Sequence, residues 1–212
     1  MRTAFLSLLT ILCLLLAVAP AMADTYSNGP FNGTNDAWAI NFGFTVSDSF
    51  TLSGGPVSGF HFVYWDASAF DLLTTADLQV GATSFGGSAT TVAFFSTFLG
   101  TNQYGYNLYQ ADASGLNIPW AGGAGFVTLG NACSASGCSV SNPIYWDENS
   151  GPSTAYENTL GSIPSEAFTV SGCSGCVCGS SPSCVPEPST ITLLFGSGIV
   201  GLAGVLRRWL IR

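Results

Sequence analysis

Few residues in this chain could do chemistry, and most of the candidates are carboxylates. Tyr145-Trp146-Asp147-Glu148-Asn149 sets two aromatic rings beside two acids and an amide. Saccharide sites use that mixture: an aromatic face stacks on the apolar side of the sugar ring, while acids and amides bind hydroxyls. Trp146, Asp147, Glu148 and Asn149 are therefore the carbohydrate-binding candidates. The same run also reads as a strand ending in an Asx-type turn, which Ser150-Gly151-Pro152 continues. A glycosidase would need two carboxyls about 5 or 6.5–9.5 Å apart across a cleft. Asp147, Glu148, Glu157 and Glu166 supply the acids, but nothing in the sequence sets their separation.

His61 is the single imidazole. No G-x-S-x-G elbow or comparable nucleophile accompanies it, and a second His for a metal site is missing. It reads as a wall residue on the face it shares with Trp65. Asp66, Asp71 and Asp77 offer hard oxygen ligands, so structural Ca²⁺ is chemically allowed. Without a D-x-D-x-D-G loop no metal site is assigned, and no cofactor is expected. The expectation is a protein without a catalytic constellation.

Lys plus Arg number 4, and all four (Arg2, Arg207, Arg208 and Arg212) lie in the terminal segments. The stretch Asp24–Cys184 has no Lys or Arg, while every acid except Glu187, 11 of the 12, falls within it. Nucleic acid is excluded as a partner, because neutralising phosphate requires clustered cations. Nucleotides and anionic glycans are disfavoured for the same reason unless a metal ion supplies the charge.

The elements that must position these residues have a period of 2. Trp38, Ile40, Phe42, Phe44 and Val46 alternate with small or polar residues, as on a strand with one buried face. Phe60, Phe62 and Tyr64 alternate with His61, Val63 and Trp65, giving a strand apolar on both faces. Further strand-like runs are Ser49–Leu52, Leu78–Ala82, Thr90–Leu99, Tyr104–Tyr109, Gly125–Leu129, Pro143–Trp146 and Ala167–Val170. Gly-rich turns such as Ser53-Gly54-Gly55-Pro56 and Phe85-Gly86-Gly87-Ser88 separate them. Only Ala67–Ala76 suits a helical turn or two. The pattern predicts an all-β domain, a β-sandwich of jelly-roll or immunoglobulin-like topology. Tyr64-Trp65-Asp66 recurs as Tyr145-Trp146-Asp147, an echo read as coincidence because no longer period accompanies it.

Met1–Ala23 reads as a signal peptide. Arg2 is the positive start, Phe5–Ala19 is almost wholly apolar, and Ala21-Met22-Ala23 follows the helix-breaking Pro20. The mature chain should begin at Asp24, after the signal peptidase has acted. An uncleaved anchor is the alternative, but the run is short for a bilayer. Loss of Cys13 leaves six cysteines: Cys133, Cys138, Cys173, Cys176, Cys178 and Cys184. In an oxidising compartment an even number reads as three disulfides. Cys133 and Cys138 flank a loop short enough to close locally. The other four lie in residues 171–184, read as a stapled neck; a zinc or iron–sulfur site would need reduced thiolates, and the spacing fits no common finger.

The C-terminus runs Val185-Pro186-Glu187-Pro188, then an apolar Ile191–Leu206, then Arg207-Arg208. Sixteen helical residues rise about 24 Å, and flanking arginines and Trp209 could complete a span. Arginines after the span place the C-terminus in the cytoplasm. This three-part tail resembles the PEP-CTERM sorting signal, with Pro186, Glu187 and Pro188 as the recognition motif and Arg207 and Arg208 as the stop-transfer cluster. The resemblance covers 185–212 and implies an exosortase-like sorting enzyme as partner. It also implies a Gram-negative bacterium that makes exopolysaccharide, with transient residence in the inner membrane before the surface or extracellular matrix. One departure is that Trp209–Arg212 continues the chain past the arginine pair.

The expected organisation is a signal peptide (1–23), a β-sandwich ectodomain (24–170), a Cys-rich neck (171–184) and a sorting tail (185–212) with a transmembrane helix at 191–206. The expected work is binding or scaffolding within exopolysaccharide. The alternatives are a carbohydrate-active enzyme of glycosidase type on a jelly-roll fold, and a purely structural adhesion protein.

Overall fold

A computed structural model describes residues 23–68, 71–138 and 142–173. The signal segment before Ala23, Cys176, Cys178, Cys184, the Pro186-Glu187-Pro188 motif, the 191–206 span and Arg207-Arg208 lie outside the described residues. Met22–Ser183 forms one compact unit with its own core, so it can fold without the two terminal segments. Among the described residues no helix is long and apolar enough to cross a membrane.

The unit is a β-sandwich. Its strands are β1 (Ala23–Ser27), β2 (Ala37–Ala39), β3 (Thr45–Leu52), β4 (Val57–Asp66), β5 (Leu73–Gly81), β6 (Thr90–Ala93) and β7 (Phe95–Thr101). They continue with β8 (Asn107–Ile118), β9 (Gly123–Ser134), β10 (Ile144–Asp147), β11 (Ala155–Glu157), β12 (Gly161–Ile163) and β13 (Phe168–Cys173). The pairing is antiparallel throughout, and consecutive strands repeatedly change sheet. One sheet of six runs β12-β11-β3-β9-β5-β6. The other, of seven, is organised on β4: β8 pairs along its whole length on one side, and β13 and β10 lie end to end on the other. Outside these, β1 pairs β13, β2 pairs β10, and β7 pairs β8 at the far edge.

Alternation fills the space between the sheets. Val46, Phe50 and Leu52 of β3 face Phe60, Phe62 and Tyr64 of β4, all nearly or fully buried. Trp146 packs edge-on against Phe60, Phe62 and Phe168, at 6.0, 5.8 and 5.7 Å between ring centroids. Each such ring contributes about 1.5–3 kcal/mol on burial, with somewhat more from the edge-to-face geometry.

Three expectations change. Trp38–Val46 is not one strand. Phe42 (φ 58°) and Gly43 (φ 88°) turn the chain there, and the Phe44 N–H donates to Asn41 O at 3.0 Å. Asn41 ties down the corner, donating to Asn142 O and accepting from the Ile144 N–H. The alternation continues across a change of sheet, which leaves Phe42 and Phe44 exposed. The described residues of Ala67–Ala76 include no helix: β5 starts at Leu73, whose side chain, with those of Ala76 and Leu78, is needed in the core. Thr90–Leu99 divides at Phe94, where the chain crosses between sheets with its ring edge-on to Phe62.

The Tyr-Trp-Asp echo has a structural basis. The two tripeptides lie on paired neighbouring strands, Tyr64 opposite Trp146 and Trp65 opposite Tyr145. Tyr64 and Trp146 face the core, and Trp65 and Tyr145 face the other way.

Candidate functional site

The aromatic–acid run is inside the protein. Trp146 has no exposed surface, and its Nε1–H donates to Ala167 O at 3.0 Å. Asp147 is equally buried and accepts from Trp65 Nε1 (2.5 Å), the Asn32 N–H (3.1 Å) and the Gly33 N–H (3.0 Å). Half-buried Glu148 accepts from Trp38 Nε1 at 3.3 Å. Asn149 donates to Asn28 O and Pro30 O, and accepts from Ser165 Oγ and the Gly151 N–H. The four residues are together, but as the mount of the Asn28–Asp36 loop. Trp146 presents no face on which a sugar ring could stack.

Further acids share that interior. Asp48 faces inward from β3 and accepts from the Glu166 N–H at 2.7 Å. Burial pushes both Asp48 and Asp147 up to about 6, against the hydrogen bonds they accept. Glu166 is fully buried, and among the described residues neither carboxyl oxygen has a hydrogen-bond partner. Burial, with Asp48, Glu148 and Asp147 adding repulsion, holds its carboxyl well above the usual range. Glu157 is elsewhere, capping the Thr159 and Leu160 N–H groups.

The three aspartates considered for Ca²⁺ share no ligand set, although Asp71 is near enough to raise Asp66. Asp66 accepts from Asn142 and the Ser68 N–H, Asp71 from Ser134 and Ser136, and Asp77 from Thr91 and Asn131. Among the described residues no three His, Cys, Asp or Glu side chains come together as metal ligands. Cys133 and Cys138 form a disulfide, and Cys173 at the end of β13 is also disulfide-bonded.

The loop mounted by Asp147 and Asn149 builds a different site. It overhangs the outer face of the β4-centred sheet and closes one side of a cavity of about 360 Å³. Pro30, Phe31, Val63 and Ala167 give this cavity apolar wall, and Ser27, His61, Gln110 and Thr169 give it hydrogen-bonding groups. Strand register sets the polar row: Ser27 lies opposite Thr169, Thr169 opposite His61, and His61 opposite Asp112. The Asp112 carboxylate orients two of these groups at once, contacting His61 Nδ1 at 2.5 Å and accepting from Gln110 Nε2 at 2.7 Å. His61 Nε2 reaches over Gly59, where a Cβ would stand 3.8 Å away.

On the other flank of the same loop, Tyr104 lies over Trp65, with ring centroids 5.9 Å apart and planes 27° from parallel. Its hydroxyl donates to Thr34 O, and the ring is 56 % exposed; Phe31, on the cavity side, is 41 % exposed. An outward aromatic ring thus lies on each flank of the loop, Phe31 from the loop itself and Tyr104 from the turn between β7 and β8. Sequence reasoning named His61 as a wall residue, which it is, but passed over Phe31, Gln110, Asp112 and Thr169. The only sequence signal for Gln110, Asp112 and Thr169 is their parity on β8 and β13, two strands that meet β4 by long-range pairing, and Phe31 lies in a loop with no such signal.

Residues 185–208 match the family model of the PEP-CTERM protein-sorting motif. The matched stretch contains Pro186, Glu187, Pro188, Arg207 and Arg208. No curated protein matches the chain. Fold and tail together define an exported β-sandwich protein, carried to the membrane by a sorting signal that an exosortase-like enzyme processes.

Proposed function

We propose that the sandwich is a non-enzymatic module that binds neutral segments of exopolysaccharide and serves as a scaffold in that matrix at the surface of a Gram-negative cell. The observation that carries this reading is the divided wall of the outer-face cavity. Apolar Pro30 and Phe31 share the lining with the hydroxyl, imidazole and amide groups of Ser27, Thr169, His61 and Gln110. A sugar ring has the same division, an apolar face and a rim of hydroxyls. The cavity volume is at the small end of the range for ligand sites, which suits one sugar unit with the chain running out past it. Tyr104 offers a second stacking surface across the loop. The ectodomain has no Lys or Arg, which favours a neutral polymer over an acidic one.

Size-exclusion chromatography of the host polymer with the ectodomain Asp24–Cys184 tests the reading. Co-elution at unchanged polymer size supports it. Shortened polymer supports the glycosidase alternative, and independent elution supports a purely structural role.

A further inference from the structure

The segment 90–101 supplies one edge strand to each sheet, and its second half is chemically unlike the rest of the surface. β7 pairs β8 on one side, and among the described residues no strand pairs its other side. Along it Phe95 is 73 % exposed, Phe98 56 % and Leu99 38 %. Exposed edges normally carry a charge or a proline that prevents pairing. Here no charged residue and no proline occurs between Asp77 and Asp112.

We infer that β7 is a self-association edge and that its occupant is β7 of a second copy of this chain, paired antiparallel about a twofold axis. Unpaired N–H and C=O groups on a strand edge are best satisfied by another strand. By composition the neck is a poor strand: residues 174–184 are Ser, Gly, Cys and Pro with Val177 as the only large aliphatic, and 191–206 belongs to the sorting tail. Charge selects the copy and the place. Two ectodomains, each with 11 acids and no Lys or Arg, repel over most of their surfaces, and β7 itself, which carries no charge, offers an edge where they can approach, its nearest acid being Asp112 on the inner neighbour β8. A twofold brings the same neutral edge of both copies together, so self-complementarity needs nothing further. The joined sheets would hold two outer-face cavities in one rigid body and cross-link whatever each binds. The association itself does not depend on the sugar-binding proposal.

Sedimentation of the ectodomain without polysaccharide, over a range of concentrations, tests the inference. The expected result is a reversible dimer in which β7 amides gain protection from hydrogen exchange. Phe95→Lys should weaken the dimer by about tenfold or more, and Phe95→Leu should retain it. Because Phe95 is largely exposed, both variants should unfold at the wild-type temperature, which separates edge pairing from misfolding. A wild-type ectodomain that stays monomeric overturns the inference. So does a dimer that Phe95→Lys leaves intact, or one whose protection falls outside β7.

Discussion

Trp65 Nε1 donates to Asp147 Oδ1 at 2.5 Å, joining the two Tyr-Trp-Asp tripeptides and anchoring the loop that overhangs the outer sheet face. The carboxyl best placed in sequence to act on a sugar is thereby committed to three donors inside the protein. In the proposed binding role its contribution would be indirect, through the position of Phe31.

Asp147→Ala leaves the Trp65, Asn32 and Gly33 N–H groups without their acceptor. Unsatisfied buried donors cost about 1–3 kcal/mol each, so a loss of at least about 2 kcal/mol is expected even if water replaces one. Chemical denaturation measures it. Glu148→Gln should cost well under 1 kcal/mol, since the amide oxygen can still accept from Trp38 Nε1. Equal losses for the two variants would contradict the anchoring role.

Acid should stabilise this fold. Asp48 and Asp147 titrate at about 6 in the folded state, against 3.8 for a free aspartate, and burial holds Glu166 well above the usual carboxylate range. The folded state therefore binds more protons than the unfolded one between these values. That stabilisation is complete below about pH 4 and is lost as pH rises through 6, and Glu166, raised by the same burial, acts in the same sense. Asp24, held low by the Ser53 N–H, acts in the opposite sense, but only at the acid end of the range. The unfolding midpoint at pH 4.5 should exceed that at pH 7.5 by several degrees in differential scanning calorimetry. A midpoint that falls steadily between pH 7 and 5 would contradict the buried-carboxyl account.

The sandwich was legible in the sequence because alternation is local: Phe60–Trp65 and Ser49–Leu52 read directly as strands. Sheet changes were not, because the alternation passes unbroken through Asn41-Phe42-Gly43 and through Phe94. The cavity was illegible for a related reason. Thr169, His61 and Asp112 are far apart in the chain and meet only through the register of β13, β4 and β8. Trp146 and Asp147 looked like a site because a buried aromatic–acid pair and an exposed one have the same composition.

The Cys133–Cys138 disulfide closes a short loop at the end of β9. Loop-closure entropy for about six residues gives about 2 kcal/mol, so Cys133→Ser with Cys138→Ser should lower the midpoint by about 4–8 °C. An unchanged midpoint would show that the bridge adds nothing to stability.

Glu187→Ala removes the only charge in the Pro186-Glu187-Pro188 motif. The variant should remain in the membrane fraction at unprocessed size on a blot of fractionated cells. Normal release would show that processing does not read this residue.

The most direct measurement of the binding account is calorimetric titration of neutral oligosaccharides, prepared from the host exopolysaccharide, into the wild-type ectodomain and its Phe31→Ala and Gln110→Ala variants. The expected result is wild-type binding that changes little with salt and weakens by about tenfold or more in each variant, with both folds intact. Absence of binding to the wild type, or equal affinity in all three proteins, would contradict the outer-face cavity as the sugar site.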